Sequence, residues 1–376
     1  MEGGRFNPVG HTSLQVPRRV ARHDARNAPA CGFVFREPLA FMRQLSFDLV
    51  FEQGTPELMH VDHPERLART EVLPRQLHAD VFHGDAFDLF DKLPDASVDL
   101  IITSPPYWGH RSYDLAHNWD LFNDIPKVRR LGIVSRGYQW YRELGGALGL
   151  EPYPEWYVAH IAEIVQKAHR VLKPTGSLWL NIGDTYFARW SSIRDSGRQG
   201  LADHHRERRK TPMGGIRQEK QLLLIPARVA IACQERGWIV RNDLIWYKPN
   251  VTPRPEGDRL KLAHEHFFHF VKKPKLGRPK YYYRSESAEE RKNDVVSVNV
   301  EAGEGDHTAT FPPKLIAPRI QTSSPPKGLV LDPFCGTGRV LEISLALGRR
   351  AIGFEKSGKF CHVARSKLGA YGKETP

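Results

Sequence analysis

The run Ser97-Val98-Asp99-Leu100-Ile101-Ile102-Thr103 is apolar at odd and even positions alike through its centre. Strand side chains alternate between two faces, so such a run needs cover on both, as in a parallel sheet layered between helices. Further strands are predicted at residues 81–85, 177–184, 239–246, 328–332 and 350–355. Helical stretches separate them at residues 86–93, 154–172, 227–236 and 339–347. The second carries an apolar stripe of Trp156, Val158, Ile161, Ile164, Val165, Ala168 and Val171. Strands alternating with helices predict an α/β parallel sheet. Such sheets bind ligands beyond the carboxyl ends of their strands. Asp85, Ser104, Asp184, Asp332 and Glu355 all fall at strand exits.

Composition narrows the class. The chain has 376 residues, 40% hydrophobic, enough for a large core. No run reaches the roughly 20 apolar residues of a membrane span, and the first thirty residues lack an apolar leader core, so a cytoplasmic enzyme is expected. Four scattered cysteines without a CxxC pair argue against a disulfide framework or a four-cysteine zinc site. A net charge of +12 suggests a polyanionic partner, although many proteins are basic without one. The charge is localised. Residues 186–220 carry a net +5 and residues 248–292 a net +6. Residues 1–75 show no sustained periodicity and read as an N-terminal arm without assigned chemistry.

Two motifs carry chemistry. Asp332-Pro333-Phe334-Cys335-Gly336-Thr337-Gly338 joins a strand to a helix, and its glycines let backbone approach a ligand at the helix N-terminus. It is neither a GxGxxG fingerprint nor a Walker loop, and alone it reads equally well as a plain turn. Glu355, about twenty residues on at the next strand's end, suits the hydroxyls of a ribose, which points to a nucleoside-containing cofactor. The second motif is Ser104-Pro105-Pro106-Tyr107-Trp108. Two prolines hold the backbone extended and leave carbonyls free to accept. The Ser104 hydroxyl and the Pro105 carbonyl could take the hydrogens of an amino group while Tyr107 stacks on its ring. Elsewhere a Pro-Pro-aromatic turn is an ordinary surface feature; here it follows a core strand at the ligand edge.

These motifs resemble those of the DNA amino-methyltransferases, which transfer a methyl group from S-adenosylmethionine to N4 of cytosine or N6 of adenine. The Ser-Pro-Pro-Tyr loop precedes the glycine loop by more than 200 residues, the order of the permuted beta-type branch. The segments Ile245-Trp246-Tyr247-Lys248-Pro249-Asn250 and His307-Thr308-Ala309-Thr310-Phe311-Pro312 extend the likeness over roughly residues 80–370. The resemblance implies a circularly permuted Rossmann-like methyltransferase sheet with basic insertions forming a target-recognition region. It divides the chain into the arm (1–75), a catalytic half (76–185), a basic DNA-contacting insertion (186–220), further sheet (221–250), a target-recognition region (251–306) and a cofactor-binding half (307–376). It assigns Ser104, Pro105, Pro106 and Tyr107 to the target base. It assigns Asp85, Thr310, Phe311, Asp332, Pro333, Phe334, Gly336, Thr337, Gly338 and Glu355 to the cofactor. Arg339 departs from the small residues usual after the loop, and the residue after the ribose acid, Lys356, is also variable.

Double-stranded DNA is the implied partner, reached by flipping the base out of the stack, with a cognate restriction endonuclease as a second one. DNA contacts are expected from Trp108, Arg111, Arg189, Arg206, Arg208, Arg209, Lys210, Lys272, Lys273 and Lys275, with core packing the alternative for Trp108 and a solvated loop the alternative for the basic clusters. No metal is expected; His204-His205 and His264-Glu265-His266 lack ligand spacing. Ser at the first motif position favours N4 of cytosine over N6 of adenine. A catalytically inactive DNA-binding regulator, or methylation of RNA or a protein glutamine, stays open, as do the oligomeric state (monomer or homodimer) and the recognition sequence.

Overall fold

The computed structural model describes residues 78–109, 115–188, 190–194, 206–251, 257–285, 293–301 and 311–374. Arg111, Arg189, Thr310, the pair His204-His205 and the N-terminal arm lie outside them.

The strands are β1 (Ala79–His83), β2 (Val98–Thr103), β3 (Leu172–Ile182), β4 (Trp190–Arg194), β5 (Arg206–Lys210), β6 (Trp238–Tyr247), β7 (His264–Lys272), β8 (Val295–Ser297), β9 (Leu329–Asp332) and β10 (Arg350–Glu355). Eight form one sheet in the order β1-β10-β9-β2-β3-β7-β6-β8. Every neighbour pair is parallel except β3 with β7 and β7 with β6, so β7 alone runs against the rest. β4 and β5 pair antiparallel as a separate ribbon.

Period-2 alternation sends each strand into two cores. Ile101, Leu178, Leu180 and Leu331 pack with the helices Pro154–Val171 and Ile225–Glu235. Leu100, Ile102, Trp179 and Val330 pack with the helices Pro313–Ser323, Arg339–Ala346 and Gly358–Glu374. The result is a sheet between two helix layers, as the both-faces-apolar strands require.

The predicted elements are present, with shifted ends. The helical stretch at 86–93 is a short helix, Ala86–Leu89, followed by a 3-10 turn, Phe90–Lys92. Lys173-Pro174-Thr175-Gly176, expected to be a break, lies inside β3, absorbed where the β2–β3 register shifts between Val98 and Leu100. One strand departs from the expected parallel sheet: β7 runs antiparallel to both of its neighbours.

Two long-range contacts close the sheet. Asp99 accepts from Leu329 N–H (2.8 Å) and pairs with Lys173 (2.7 Å), tying β2 to the start of β9. Gly84 N–H donates to the Glu355 carbonyl (2.9 Å), continuing the β1–β10 pairing past the strand ends.

Candidate active site

A cavity of about 610 Å³ opens at the carboxyl ends of the parallel strands. It is lined from one side by the Asp332–Thr337 loop, Glu355 and Asp85, and from the other by Ser104–Tyr107, Asn181, Lys248 and Glu265. The two sequence motifs, 225 residues apart or more, thus share one space because β2 and β9 are neighbours.

The glycine-loop side is built from backbone amides. Gly338 (φ +85°) caps the helix Arg339–Ala346 and Gly336 has φ +54°; both are left-handed, where other residues are strained. Glu355 accepts Gly336 N–H on Oε2 (2.9 Å) and Ser357 N–H on Oε1 (2.7 Å). Burial raises its pKa against these bonds. Asp332 Oδ1 accepts from the Thr103 hydroxyl (2.6 Å) and from Phe334 N–H (3.1 Å). Burial, reinforced by the Glu355 charge, pushes the Asp332 carboxyl up to about 7. Cys335 is buried in the apolar core behind the loop, a packing residue. Phe311 also lines the cavity and stacks on Phe267 at 5.7 Å.

Asp85 closes this side. It caps the helix Ala86–Leu89 through Phe87 N–H (3.0 Å). Its Oδ2 accepts from Tyr138 OH (3.0 Å) and Lys356 Nζ (2.9 Å), with Arg142 at 3.5 Å. Burial works against ionisation, but Lys356, Phe87 N–H and Arg142 outweigh it and lower the pKa. Tyr138 and Arg142 come from the helix Tyr138–Glu143, which the sequence reading did not place. Arg339, the departure from the family pattern, lines the cavity and pairs with Glu342 at 3.7 Å.

The opposite side is built from side chains. Tyr107 OH lies 2.7 Å from Glu265 Oε2 and 2.8 Å from Asn181 Oδ1, and the Ser104 hydroxyl donates to it at 3.2 Å. Asn181 Nδ2 donates to the His266 carbonyl (3.1 Å), which fixes the amide so that Oδ1 faces Tyr107. Lys248 Nζ binds Glu265 Oε1 and lies 4.6 Å from the Trp246 ring centroid. Gly183 is needed here, since a Cβ would sit 2.8 Å from Tyr107 Cε2. Beneath the loop, Tyr157 OH donates to the Pro106 carbonyl (2.9 Å). Gly109 N–H donates to the Gly149 carbonyl (2.8 Å). A buried Glu151–His160 pair (3.0 Å) holds Gly149 in turn through its N–H (2.9 Å). Glu265 was noticed in the sequence only within a His-Glu-His triplet. Among the described residues no group of His, Cys, Asp and Glu is arranged to hold a metal.

Several expected DNA contacts are corrected. Trp108 is 2% exposed and donates to the Glu151 carbonyl (2.9 Å), so it is core. Lys272 ends β7 and donates to the Leu172 carbonyl (2.7 Å). Because β7 is antiparallel, with Val271 opposite Ser177, Lys272, Lys273 and Lys275 lie at the amino edge of the sheet, away from the cavity. The remaining basic cluster is not among these corrections: Arg206, Arg208, Arg209 and Lys210 form β5, whose ribbon lies beside the helix Asp120–Asn123. Asp184 lines the cavity, and its Oδ1 accepts Ile225 N–H (3.1 Å) at the start of the next helix.

The comparisons with known proteins now decide the family. A profile of the DNA methylases, the N6/N4 methyltransferase family, matches residues 98–366. The chain belongs to this DNA methylase family. It is 34% identical over 313 residues to the type II methyltransferase M.Cfr9I of Citrobacter freundii, covering 81% of this chain and 92% of that protein. It is 31% identical to M.SmaI of Serratia marcescens, covering 76% and 89%. Its fold matches the PvuII cytosine-N4-specific DNA methyltransferase with a TM-score of 0.50 at 18% identity, over 78% of this chain and 91% of that one.

S-adenosylmethionine, the methyl donor of such enzymes, fits the residues present. Glu355 offers an acid anchored by backbone N–H groups for ribose hydroxyls. Phe334, Val340, Phe354 and Phe360 give an apolar wall for a purine ring.

Proposed function

We propose that this DNA methylase transfers the methyl group of S-adenosylmethionine to the N4 amine of cytosine in duplex DNA. The observation that supports the transfer is one cavity shared by Ser104–Tyr107 and Asp332–Thr337. A Ser104 hydroxyl that donates to Tyr107 turns its lone pairs to the cavity, ready for the hydrogens of an exocyclic amine, and serine at the first motif position, as in the N4-cytosine pattern of the family, supports cytosine over adenine. Type II methyltransferases among the relatives suggest a restriction-modification setting with a cognate endonuclease.

When bound, S-adenosylmethionine supplies an already activated methyl group. Glu355 would hold its ribose, Asp332, Phe334 and the glycine loop would line it, and Asp85 would face its adenine end. The amine of cytosine is a poor nucleophile because its lone pair is delocalised into the ring. Ser104 and the Pro105 carbonyl, accepting its two hydrogens, favour a pyramidal nitrogen over the planar one and so bind the transition state better than the ground state. Seating of the amine against the bound cofactor supplies much of the remaining rate. The phosphate contacts are assigned to β5 of the β4–β5 ribbon, at Arg206, Arg208, Arg209 and Lys210.

The test is incubation with labelled S-adenosylmethionine and duplex DNA, followed by nucleoside mass spectrometry. N4-methylcytosine is expected, and it disappears in Ser104→Ala. N6-methyladenine alone would overturn the base; no transfer by the intact protein would overturn the activity.

A further inference from the structure

Tyr107 carries one proton, and two oxygens compete for it. Glu265 Oε2 stands at 2.7 Å and Asn181 Oδ1 at 2.8 Å, both across from Ser104. Whichever of them takes it, the proton points away from Ser104. The Tyr107 oxygen is then an acceptor toward Ser104, at 3.2 Å. A serine hydroxyl has one proton too; once that proton is committed to Tyr107, only lone pairs remain for the cavity.

Of the two acceptors Glu265 is the stronger, because a hydrogen bond to an ionised oxygen is shorter and about twice as strong as a neutral one. Its charge is kept in place by Lys248, which binds its other oxygen and stands beside the Trp246 ring. Glu265 and Lys248 come from β7 and the end of β6, outside both sequence motifs. They are placed at the cavity by the antiparallel turn of β7, which brings the first residues of that strand, and not its last, beside the carboxyl end of β3.

We infer that Glu265, held by Lys248, is a positioning residue that orients the hydrogen-bond chain Ser104–Tyr107–Glu265 so that Ser104 meets the target amine as an acceptor. Without the carboxylate, only the neutral amide oxygen of Asn181 remains of the two acceptors, and it holds the Tyr107 proton less firmly against donation to Ser104. When Tyr107 does donate to Ser104, the serine proton turns into the cavity, where it opposes the amine hydrogens. Glutamine at 265 is the sharper change, since it keeps the shape but can offer an N–H to Tyr107 and reverse the chain. The inference rests on the amine-methylation reading above.

A double-mutant cycle on methyl transfer tests it, with Glu265→Gln, Tyr107→Phe and the pair measured under saturating S-adenosylmethionine. Glu265→Gln should lower kcat by about 10- to 100-fold, the worth of a hydrogen bond to a charged group, with cofactor Kd and thermal midpoint unchanged. In the Tyr107→Phe background, which has no hydroxyl to orient, the same substitution should cost less than about threefold. Lys248→Met should shift kcat in the same direction by a smaller factor. Additive effects, or a Glu265→Gln enzyme as fast as the parent, would sink the inference while leaving methylation intact. If the parent itself transfers no methyl group, the reaction has failed and not this chain of bonds. Should Glu265→Gln unfold, Glu265→Asp, which restores the charge, must recover folding and part of kcat; recovery of folding without kcat also counts against it.

Discussion

The two sides of the cavity are held by different kinds of bond. In the glycine loop, carboxyl groups accept from backbone: Glu355 from the amides of Gly336 and Ser357, and Asp332 from that of Phe334, with the Thr103 hydroxyl its one side-chain donor. On the Tyr107 side, side chain grips side chain, through Ser104, Tyr107, Asn181, Glu265 and Lys248. Backbone geometry is specified by a few neighbouring residues, whereas a side-chain network needs partners from four separate parts of the chain. The first side is therefore compact in sequence and tolerant of its surroundings, and the second is exposed to any shift between strands.

Breaking each side should give a different signature. The largest effect is expected for Glu355→Ala, which removes the acid for two hydroxyls. S-adenosylmethionine binding by calorimetry should weaken roughly 100-fold or more. A change below about fivefold would remove Glu355 from the cofactor's ribose. Next comes Gly183→Ala, whose Cβ drives into the Tyr107 ring. It should reduce kcat about 10-fold or more while cofactor affinity is kept, because the clash touches only the side-chain network. Loss of both together would erase the distinction between the two sides.

The pattern of these sites was partly legible in the residues. The glycine loop and the Ser-Pro-Pro-Tyr loop are contiguous, so each is read from one short peptide and its flanking strands. Glu265 is not. Its role depends on β7 running against its neighbours, and a strand's direction leaves no trace in its own periodicity. The same blindness misplaced Lys272, Lys273 and Lys275, whose charge is plain but whose edge of the sheet is set by that direction. Tyr138 and Arg142 were missed because the short helix that carries them has no long apolar stripe.

A smaller effect separates DNA binding from both sides of the cavity. Arg208→Ala with Arg209→Ala on β5 should reduce the slope of log affinity against log salt by about 2, measured by fluorescence anisotropy, and leave cofactor binding alone. The paired change Lys273→Ala with Lys275→Ala, at the far edge, should leave that slope as it is. The smallest effect concerns Asp332. Its carboxyl is raised from 3.8 to about 7 by burial and the Glu355 charge. Between those values the folded chain keeps a proton that the unfolded chain has released, so this group's contribution to stability falls as pH rises through the window and is level above it. Asp332→Asn removes the dependence. Its melting temperature should exceed the parent's by about 5 °C at pH 8, with the gap closing toward pH 5.

The sheet's first strand pairs with its last, β1 against β10. A ribosome releases β1 long before its partner exists, and the neighbour of β2 on that side, β9, is equally late. The cavity's two sides thus come together only once β9 and β10 exist, when Asp332 and Glu355 arrive beside Thr103 and Gly84. Until β9 and β10 are made, the Ser-Pro-Pro-Tyr loop has no glycine loop opposite it, so competence for cofactor and base is acquired together.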